Sequence, residues 1–335
     1  MNNPAFQPRR NLNLHGKTVV ITGASSGVGR AAAIEFARHG ANLILASRRP
    51  DTLEEVLLEC EELGGRAVSA NIDVTDAAAV KGLAAAARSY TGEIDIWINN
   101  AGVLAMGTFD ETPVEVHDQV INTNLLGYIH GAHAVLPYFK AQGFGVLINN
   151  ISVGGWFPAP YAVGYTASKF GLRGFSQALK GELGSWPGIK ICDIYTAFLD
   201  TPGVQHAANY TGVALKPAPP VMDPQKVARK MVSIAQNPAQ GDYTDIPASL
   251  LKFAAGTFPV LTRMITRKVM EAYFKTGKRI QNTNGNVFQP VEYGSSIHGG
   301  WNTSTPQERV IKRSMLGAGL VLGLILLGKL GRSGR

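Results

Sequence analysis

T-V-V-I-T-G-A-S-S-G-V-G, Thr18 to Gly29, runs a short apolar stretch straight into a glycine-rich turn. A run of Thr, Val and Ile without polar alternation predicts a strand buried on both faces, the habit of parallel sheets. Gly23, Gly27 and Gly29 allow a tight turn and a close approach to backbone N–H groups at the start of a helix. Those groups, at the positive end of a helix, suit a pyrophosphate. Ser25, Ser26 and Val28 lie between the glycines and belong to the same candidate contact. The spacing is G-x-x-x-G-x-G, and a glycine turn alone can be no more than a helix start. Its place after the first strand of an alternating chain is what makes it a dinucleotide candidate.

The alternation continues on both sides of residue 100. Strands are predicted at Asn42–Ala46, Ala67–Ile72, Ile94–Ile98, Gly145–Ile151, Ile189–Tyr195 and Asp242–Ile246. Helices are predicted at Gly27–His39, Thr52–Leu63, Asp76–Tyr90, Pro113–Gln142, Tyr161–Leu183 and Pro224–Gln236. Strand–helix alternation with unalternated apolar strands predicts an α/β fold, a doubly wound parallel sheet that binds ligands beyond the carboxyl ends of its strands.

The second strand ends in L-I-L-A-S-R-R. Dinucleotide binders that take NAD place a carboxylate there for the ribose hydroxyls. Here Ser47 stands in its place, followed by Arg48 and Arg49. A guanidinium pairs with a 2′-phosphate and stacks on adenine, so NADP(H) is the expected cofactor, with Arg48 the main contact and Ser47 in support. Solvated arginines at a helix start are the alternative.

Farther on, Tyr165 is followed four residues later by Lys169 in a helical stretch, and Ser152 precedes the tyrosine by thirteen. Residues four apart share a helical face, so phenol and ammonium can share a pocket. A fixed cation favours the phenolate, which suits proton exchange with an alcohol or carbonyl oxygen, and Ser152 can donate to that oxygen. Taken alone, the pair reads equally as an exposed helical contact.

With these elements in order, the chain resembles the short-chain dehydrogenase/reductase family over about residues 14–249. The resemblance rests on the glycine turn, Asp73-Val74, Asn99-Asn100-Ala101-Gly102, Asn124 in N-T-N-L-L-G, the Ser152/Tyr165/Lys169 set and Phe198-Leu199-Asp200-Thr201. It implies a Rossmann fold and carbonyl–alcohol interconversion with NADP(H). It further implies that Ser152, Tyr165 and Lys169 are catalytic, and that Asn124 holds a water of the proton relay. Asp73 and Val74 would lie beside the adenine, and Asn100, Ala101 and Gly102 would border the cofactor. Phe198, Leu199 and Thr201 would meet the nicotinamide, and Lys169 its ribose. One departure stands out: Thr196-Ala197 occupies the place of the family's Pro-Gly, which puts the shape of the nicotinamide turn in question. Other readings on the same fold are a catalytically idle NADP(H)-sensing scaffold and a lyase or epimerase.

Trp156, Phe157 and Pro158, with the Pro202–Pro220 loop, are expected to line an apolar pocket for a lipophilic carbonyl or alcohol, and Tyr161 to join them. His117, His130 and His133 read as packing or surface residues. Cys60 and Cys192 read as core, and no metal-ligand spacing is present.

The charge is lopsided. Residues 1–249 hold 19 Lys+Arg against 21 Asp+Glu, and residues 250–335 hold 13 against 3. With no nucleic-acid motif, the basic end is read as facing a membrane. Residues 1–13 read as a polar leader without a secretory signal, residues 14–249 as the catalytic domain, residues 250–305 as a basic amphipathic helix and linker, and residues 306–335 as a membrane anchor. Within the last, Met315–Gly328 would make about 21 Å of helix, short of a hydrocarbon core of about 30 Å. Basic flanks and the Gly319/Gly323 pair would help it span or associate. An in-plane helix and a buried soluble helix are the alternatives. The catalytic domain is expected on the cytoplasmic side, and a homo-oligomer is left open.

Overall fold

The computed structural model describes residues 12–239 and 241–302. The chain alternates as expected: β1 (Thr18–Thr22), α1 (Gly27–Ala37), β2 (Asn42–Ser47), α2 (Pro50–Glu62), β3 (Arg66–Asn71), α3 (Ala77–Thr91) and β4 (Ile96–Asn99). A two-residue strand β5 (Ala105–Met106) and α4 (Val114–Ile121) lead through a π turn, Asn122–Leu126, into α5 (Gly127–Gln142). Then come β6 (Gly145–Asn150), α6 (Val163–Glu182), β7 (Ile189–Tyr195), the short β8 (Ala208–Asn209), α7 (Pro224–Gln236) and β9 (Gly241–Thr244). Two further helices, α8 (Ile246–Thr257) and α9 (Pro259–Thr276), follow.

Seven parallel strands lie in the order β3-β2-β1-β4-β6-β7-β9. The order reverses between β1 and β4, which opens a crevice at their carboxyl ends. On one face α1, α2 and α7 bury an apolar core against the sheet, and on the other α3, α5 and α6 do the same. β1 is buried along its whole length. The small strands β5 and β8 pair above the sheet's carboxyl edge.

That edge also carries a buried polar chain. Trp97 Nε1 donates to Asn99 Oδ1 at 2.8 Å, Asn99 Nδ2 to Asn149 Oδ1 at 3.1 Å, and Asn149 Nδ2 to Asp193 Oδ1 at 3.1 Å. Asp193, fully buried, also accepts from Ser176 Oγ and from Lys180 Nζ, each at 2.7 Å, and the lysine reaches on to Asp242. The chain crosses β4, β6, β7 and β9 and keeps every polar member satisfied.

Three expectations are corrected. The predicted helix Pro113–Gln142 is interrupted by the π turn, which carries one extra residue and turns the Asn124 side chain onto the Val103 backbone. The last strand stops at Thr244, because Asp245 caps α8, accepting from Ala248 N at 2.7 Å ahead of Pro247 in the first turn. The single amphipathic helix expected over Leu250–Lys278 is two helices that part at Phe258–Pro259, since proline lacks the N–H and disfavours helix in the residue before it.

The described residues up to Gly299 belong to one compact unit; Gly300–Arg335 form a second, of which residues 300–302 are described. Among the described residues no helix is long and apolar enough to cross a membrane. Met315–Gly328 lies outside the described residues.

Lys180→Met should leave the buried Asp193 carboxylate without its cation and cost about 3–5 kcal/mol. Lys180→Met combined with Asp193→Asn should recover more than half of that in urea denaturation. Equal losses in the single and double variants would show that the pair does not act as a buried ion pair.

Candidate active site

The glycine turn is built as its composition requires. Gly23 and Gly27 have positive φ, 68° and 54°. A Cβ on Gly23 would stand 2.8 Å from Ala101 Cα, and one on Gly29 would overlap the Gly23 carbonyl. Asn100 Nδ2 donates to the carbonyls of Thr22 and Gly23, at 3.1 and 3.3 Å. The turn is thereby clamped against Asn100 and Ala101. Helix α1 starts with no side-chain cap from Ser26 and no acidic residue in its first turn, so its positive end fits an anion. Thr201 packs against Gly27, which brings the segment after β7 to the phosphate turn.

At the end of β2, Ser47 is buried and its Oγ accepts from Arg49 N at 3.1 Å. Arg48 faces Asp73 at 3.4 Å and donates to the carbonyls of Phe288 and Asn286, at 3.1 and 2.5 Å. Asp73 Oδ1 accepts from Thr75 N and Oγ1, which forms the turn that sets Val74. Gly102 sits beside Asn124, and Phe198 and Asp200 are pinned by backbone hydrogen bonds to Met222. Leu199 bridges the same residue.

Ser152, Tyr165 and Lys169 meet at one place. Ser152 holds φ 89°, ψ 154°, a region that glycine alone enters freely. Its N–H goes to the Ile194 carbonyl at 3.2 Å, and its Oγ accepts from Gly154 N at 3.2 Å. This strained turn carries the hydroxyl toward Tyr165, close enough to favour the phenolate. Gly154 leaves room for the ring: a Cβ there would stand 3.0 Å from Tyr165 Cε1. One helical turn on, Lys169 is 4% exposed and has no carboxylate partner among the described residues. Its ammonium lies 5.1 Å from the Tyr128 ring centre and 5.6 Å from that of Tyr165.

Burial works on both titrating groups. Desolvation pulls Lys169 down from 10.5 to about 7. Desolvation also raises the Tyr165 phenol, and the nearby Ser152 hydroxyl opposes that rise. Burial thus works against the fixed cation that the spacing suggests, and leaves the tyrosine raised rather than lowered.

Asn124 is fully buried, and both ends of its amide are taken by Val103: Val103 N donates to Oδ1 and Nδ2 donates to Val103 O, each at 2.8 Å. Nδ2 also reaches Ser168 Oγ at 3.3 Å, on the helix that carries Tyr165 and Lys169. The side chain thus ties the end of the β4 loop to α6.

The expected pocket residues turn out to hold the chain beyond residue 245. Phe157 is buried with Ala197 and Ala248, and Trp156 lies between Arg173 and Lys252, 4.0 and 3.8 Å from its ring centre. Tyr161 meets Phe274 edge-on at 5.0 Å and donates to Glu271 at 3.4 Å. His117 meets the Phe109 carbonyl, His130 meets that of Val74, and His133 is exposed. Cys60 and Cys192 are both buried and unbridged. Among the described residues no cluster of three or more His, Cys, Asp or Glu side chains could hold a metal ion.

The Thr196-Ala197 turn has its own support: Ala197 N donates to Asp245 Oδ2 at 3.0 Å. Asp245 escapes a strand-minded reading of D-Y-T-D-I-P, although Asp ahead of a proline in the first turn signals a helix start.

A family model described as short chain dehydrogenase matches residues 17–210, more than half of the chain. The chain belongs to the short-chain dehydrogenase family. Among curated members of this family, it is 28% identical to the uncharacterized oxidoreductase YxnA of Bacillus subtilis, over 96% of this chain and 93% of the relative. It is 30% identical to the 3-oxoacyl-[acyl-carrier-protein] reductase FabG of Thermotoga maritima, over 68% of this chain and 93% of the relative. Among solved structures, an alcohol dehydrogenase from the archaeon Thermococcus sibiricus, complexed with 5-hydroxy-NADP, superposes with a TM-score of 0.60 at 26% identity. That match covers 69% of this chain and 96% of the other. The protein is thus a short-chain dehydrogenase with an oxidoreductase fold, and the likeness to the Bacillus relative runs through most of the chain beyond residue 250.

Lys169 also has a measurable cost. Between pH 7 and 10.5 the unfolded chain binds more protons at this site than the folded one, so this group's contribution to stability rises with pH and the penalty is complete below 7. At 1.36 kcal/mol per pKa unit, less a lost cation–π contact, Lys169→Met should stabilise the fold by on the order of 1–3 kcal/mol at pH 6. The gain should fade toward pH 10. A gain that does not vary with pH in paired denaturation curves would count against the buried-charge account.

Proposed function

We propose that this short-chain dehydrogenase is an NADP(H)-dependent oxidoreductase that acts on CH–OH groups and interconverts an alcohol and a carbonyl. The observation that carries the reading is the meeting of the Ser152 turn, the Tyr165 ring packed against Gly154, and the buried Lys169 ammonium 5.6 Å from that ring's centre. A bound nicotinamide would supply or accept the hydride. The Tyr165 hydroxyl gives its proton to the carbonyl oxygen during reduction and takes it back during oxidation. Ser152 Oγ donates to the same oxygen and orients it. Lys169, poised near neutrality by desolvation, stabilises the phenolate and can pass a proton on at physiological pH. Asn124 holds the β4 loop against α6, and the water of the relay is placed there by resemblance.

Gly23, Gly27 and Gly29, with Ser25, Ser26 and Val28, would hold the pyrophosphate. Ser47 and Arg48 would take the 2′-phosphate, Asp73 and Val74 the adenine. Asn100, Ala101 and Gly102 would border the ribose, and Phe198, Leu199 and Thr201 the nicotinamide. The NADP derivative in the archaeal alcohol dehydrogenase supports this choice of cofactor. The bulk of apolar side chains around Tyr165, including Val103, Val116 and Val120, supports a lipophilic substrate.

Tyr165→Phe should lower turnover by about 10²-fold or more while NADPH still binds. Near-normal turnover against a carbonyl panel would reject the assignment, and a preference for NADH in the same assay would reject the cofactor.

Membrane contact belongs to the same proposal. Along α8 and α9, Ile246, Phe253, Val260, Ile265 and Val269 are exposed beside Arg263, Arg267 and Lys268, and α9 buries none of its residues. Apolar and basic residues exposed together favour an anionic lipid surface. The full chain should float with anionic vesicles and less with neutral ones. A chain that stays unbound to both would refute the contact.

A further inference from the structure

Residues 284–299 have no helix or strand, yet they lie across the donors that a dinucleotide would use. Arg48 donates to the carbonyls of Asn286 and Phe288, and Arg49 to those of Glu292 and Tyr293, at 3.2 and 3.3 Å. At the phosphate turn, Gly27 N donates to the Ser296 carbonyl at 3.0 Å, and Arg30, in α1, to that of Ser295 at 3.1 Å. Six main-chain oxygens thus stand on the guanidinium groups at the end of β2 and on the first turn of α1. They are neutral acceptors in positions that suit anionic ones.

The same segment is seated on the loop that follows the nicotinamide residues. Asn286 N donates to the His206 carbonyl at 2.8 Å, His206 Nε2 meets the Tyr293 carbonyl at 3.1 Å, and Gly299 N donates to the Asp200 carbonyl at 3.1 Å. Gly285 and Gly294 have positive φ, 50° and 71°, and a Cβ on either would overlap His206. Val287 is fully buried in the small apolar cluster that also touches Tyr165. The segment therefore bridges the adenosine end of the crevice, the nicotinamide loop and the surroundings of the catalytic tyrosine.

We propose that residues 284–299 are a strap that competes with NADP(H) for the donors of Gly27, Arg48 and Arg49, so that the cofactor enters only as the strap lifts. The proposal rests on the cofactor reading above. At Gly27 the exchange turns a neutral hydrogen bond into a charge-assisted one, and at Arg48 and Arg49 it turns a bond to a neutral carbonyl into an ion pair of the bidentate kind, which makes the exchange favourable. The strap itself is cheap to lift, because hydrogen bonds and one deeply buried side chain hold it rather than a packed face. Its hold on residues 200–206 links cofactor entry to the position of the nicotinamide loop.

The test uses the full chain and NADPH itself, followed by nucleotide fluorescence. Gly294→Val and Gly285→Val, which unseat the strap from His206, should each lower the NADPH Kd by about three- to tenfold and speed association, since a larger fraction of molecules is open. Weaker binding with faster release would make the strap a clasp over bound cofactor, and unchanged binding would make it a bystander; either overturns the proposal. Hydrogen exchange on the unaltered protein guards against a variant that fails to fold. On adding NADPH, amides within 284–299 should exchange at least about tenfold faster while the core does not, and slower strap exchange overturns the proposal. No NADPH binding in any of the proteins would reject the cofactor reading and the strap with it, whereas binding without a strap effect rejects the strap alone.

Discussion

Asn100 and Asn150 form the rung on which the site depends. Asn150 Nδ2 donates to Asn100 Oδ1 at 2.9 Å, while Asn100 Nδ2 holds the carbonyls of Thr22 and Gly23. One pair of side-chain amides therefore joins three strand ends, β1, β4 and β6. The phosphate turn begins at one end of the rung, and Ser152 follows two residues after the other. Strand carboxyl ends in a parallel sheet have no neighbour to fix their backbone beyond the last ladder bond. The amides supply that neighbour, with the Tyr128 hydroxyl donating to the Asn150 carbonyl at 2.8 Å. The glycine turn and the Ser152 turn are thus set in one frame.

Below that frame lie two features that lower stability. The Ser152 backbone lies where side chains are disfavoured, and Lys169 is buried without a carboxylate partner among the described residues. Both features cost free energy, and both lie against Tyr165: one carries a hydroxyl toward it, and the other sets an amine 5.6 Å from its ring centre whose pKa burial pulls down to about 7. Lys180, three turns farther along the same face of α6, shows a contrasting use of the same residue type. There two carboxylates meet the ammonium at 2.7 Å, which holds a proton firmly and ties strands together. The difference is made by partners, since both lysines sit on α6.

Much of the domain was legible in the sequence because its signals are local. Unalternated Val and Ile runs marked β1, β6 and β7 to within a residue, and the glycines of Thr22–Gly29 marked the turn. Ser152, Tyr165 and Lys169 could be paired through helical spacing and through motif order. What escaped depended on distant contacts. The π turn at Asn122–Leu126 leaves no periodicity break that a reader would notice, because its cause is the Asn124–Val103 pairing. Arg48 was read as a phosphate ligand from its place after β2, and nothing in S-R-R announces the carbonyls of Asn286 and Phe288 some 240 residues away. Trp156 and Phe157 were read as pocket wall, because an aromatic loop after Ser152 carries no mark of the helix that covers it.

The departure at Thr196-Ala197 shows why the chain beyond residue 245 cannot be treated as an appendage. A proline at 196 would fix φ, and a glycine at 197 would free the next residue; neither restraint is present. In their place the Asp245 carboxylate takes the Ala197 N–H with one oxygen and caps α8 with the other. The cap also packs Ala248 onto Phe157 and Ala197. The nicotinamide turn is therefore held from outside the sheet, by the first residue of the added helical pair. From there the chain returns over the 202–220 loop, pairing Arg279 with Val213 and Thr283 with Asn209, before it reaches Arg48 and the phosphate turn. Each of these contacts touches a segment that a cofactor or substrate would also touch. An addition arranged in this way adds little to the sheet and much to the candidate site.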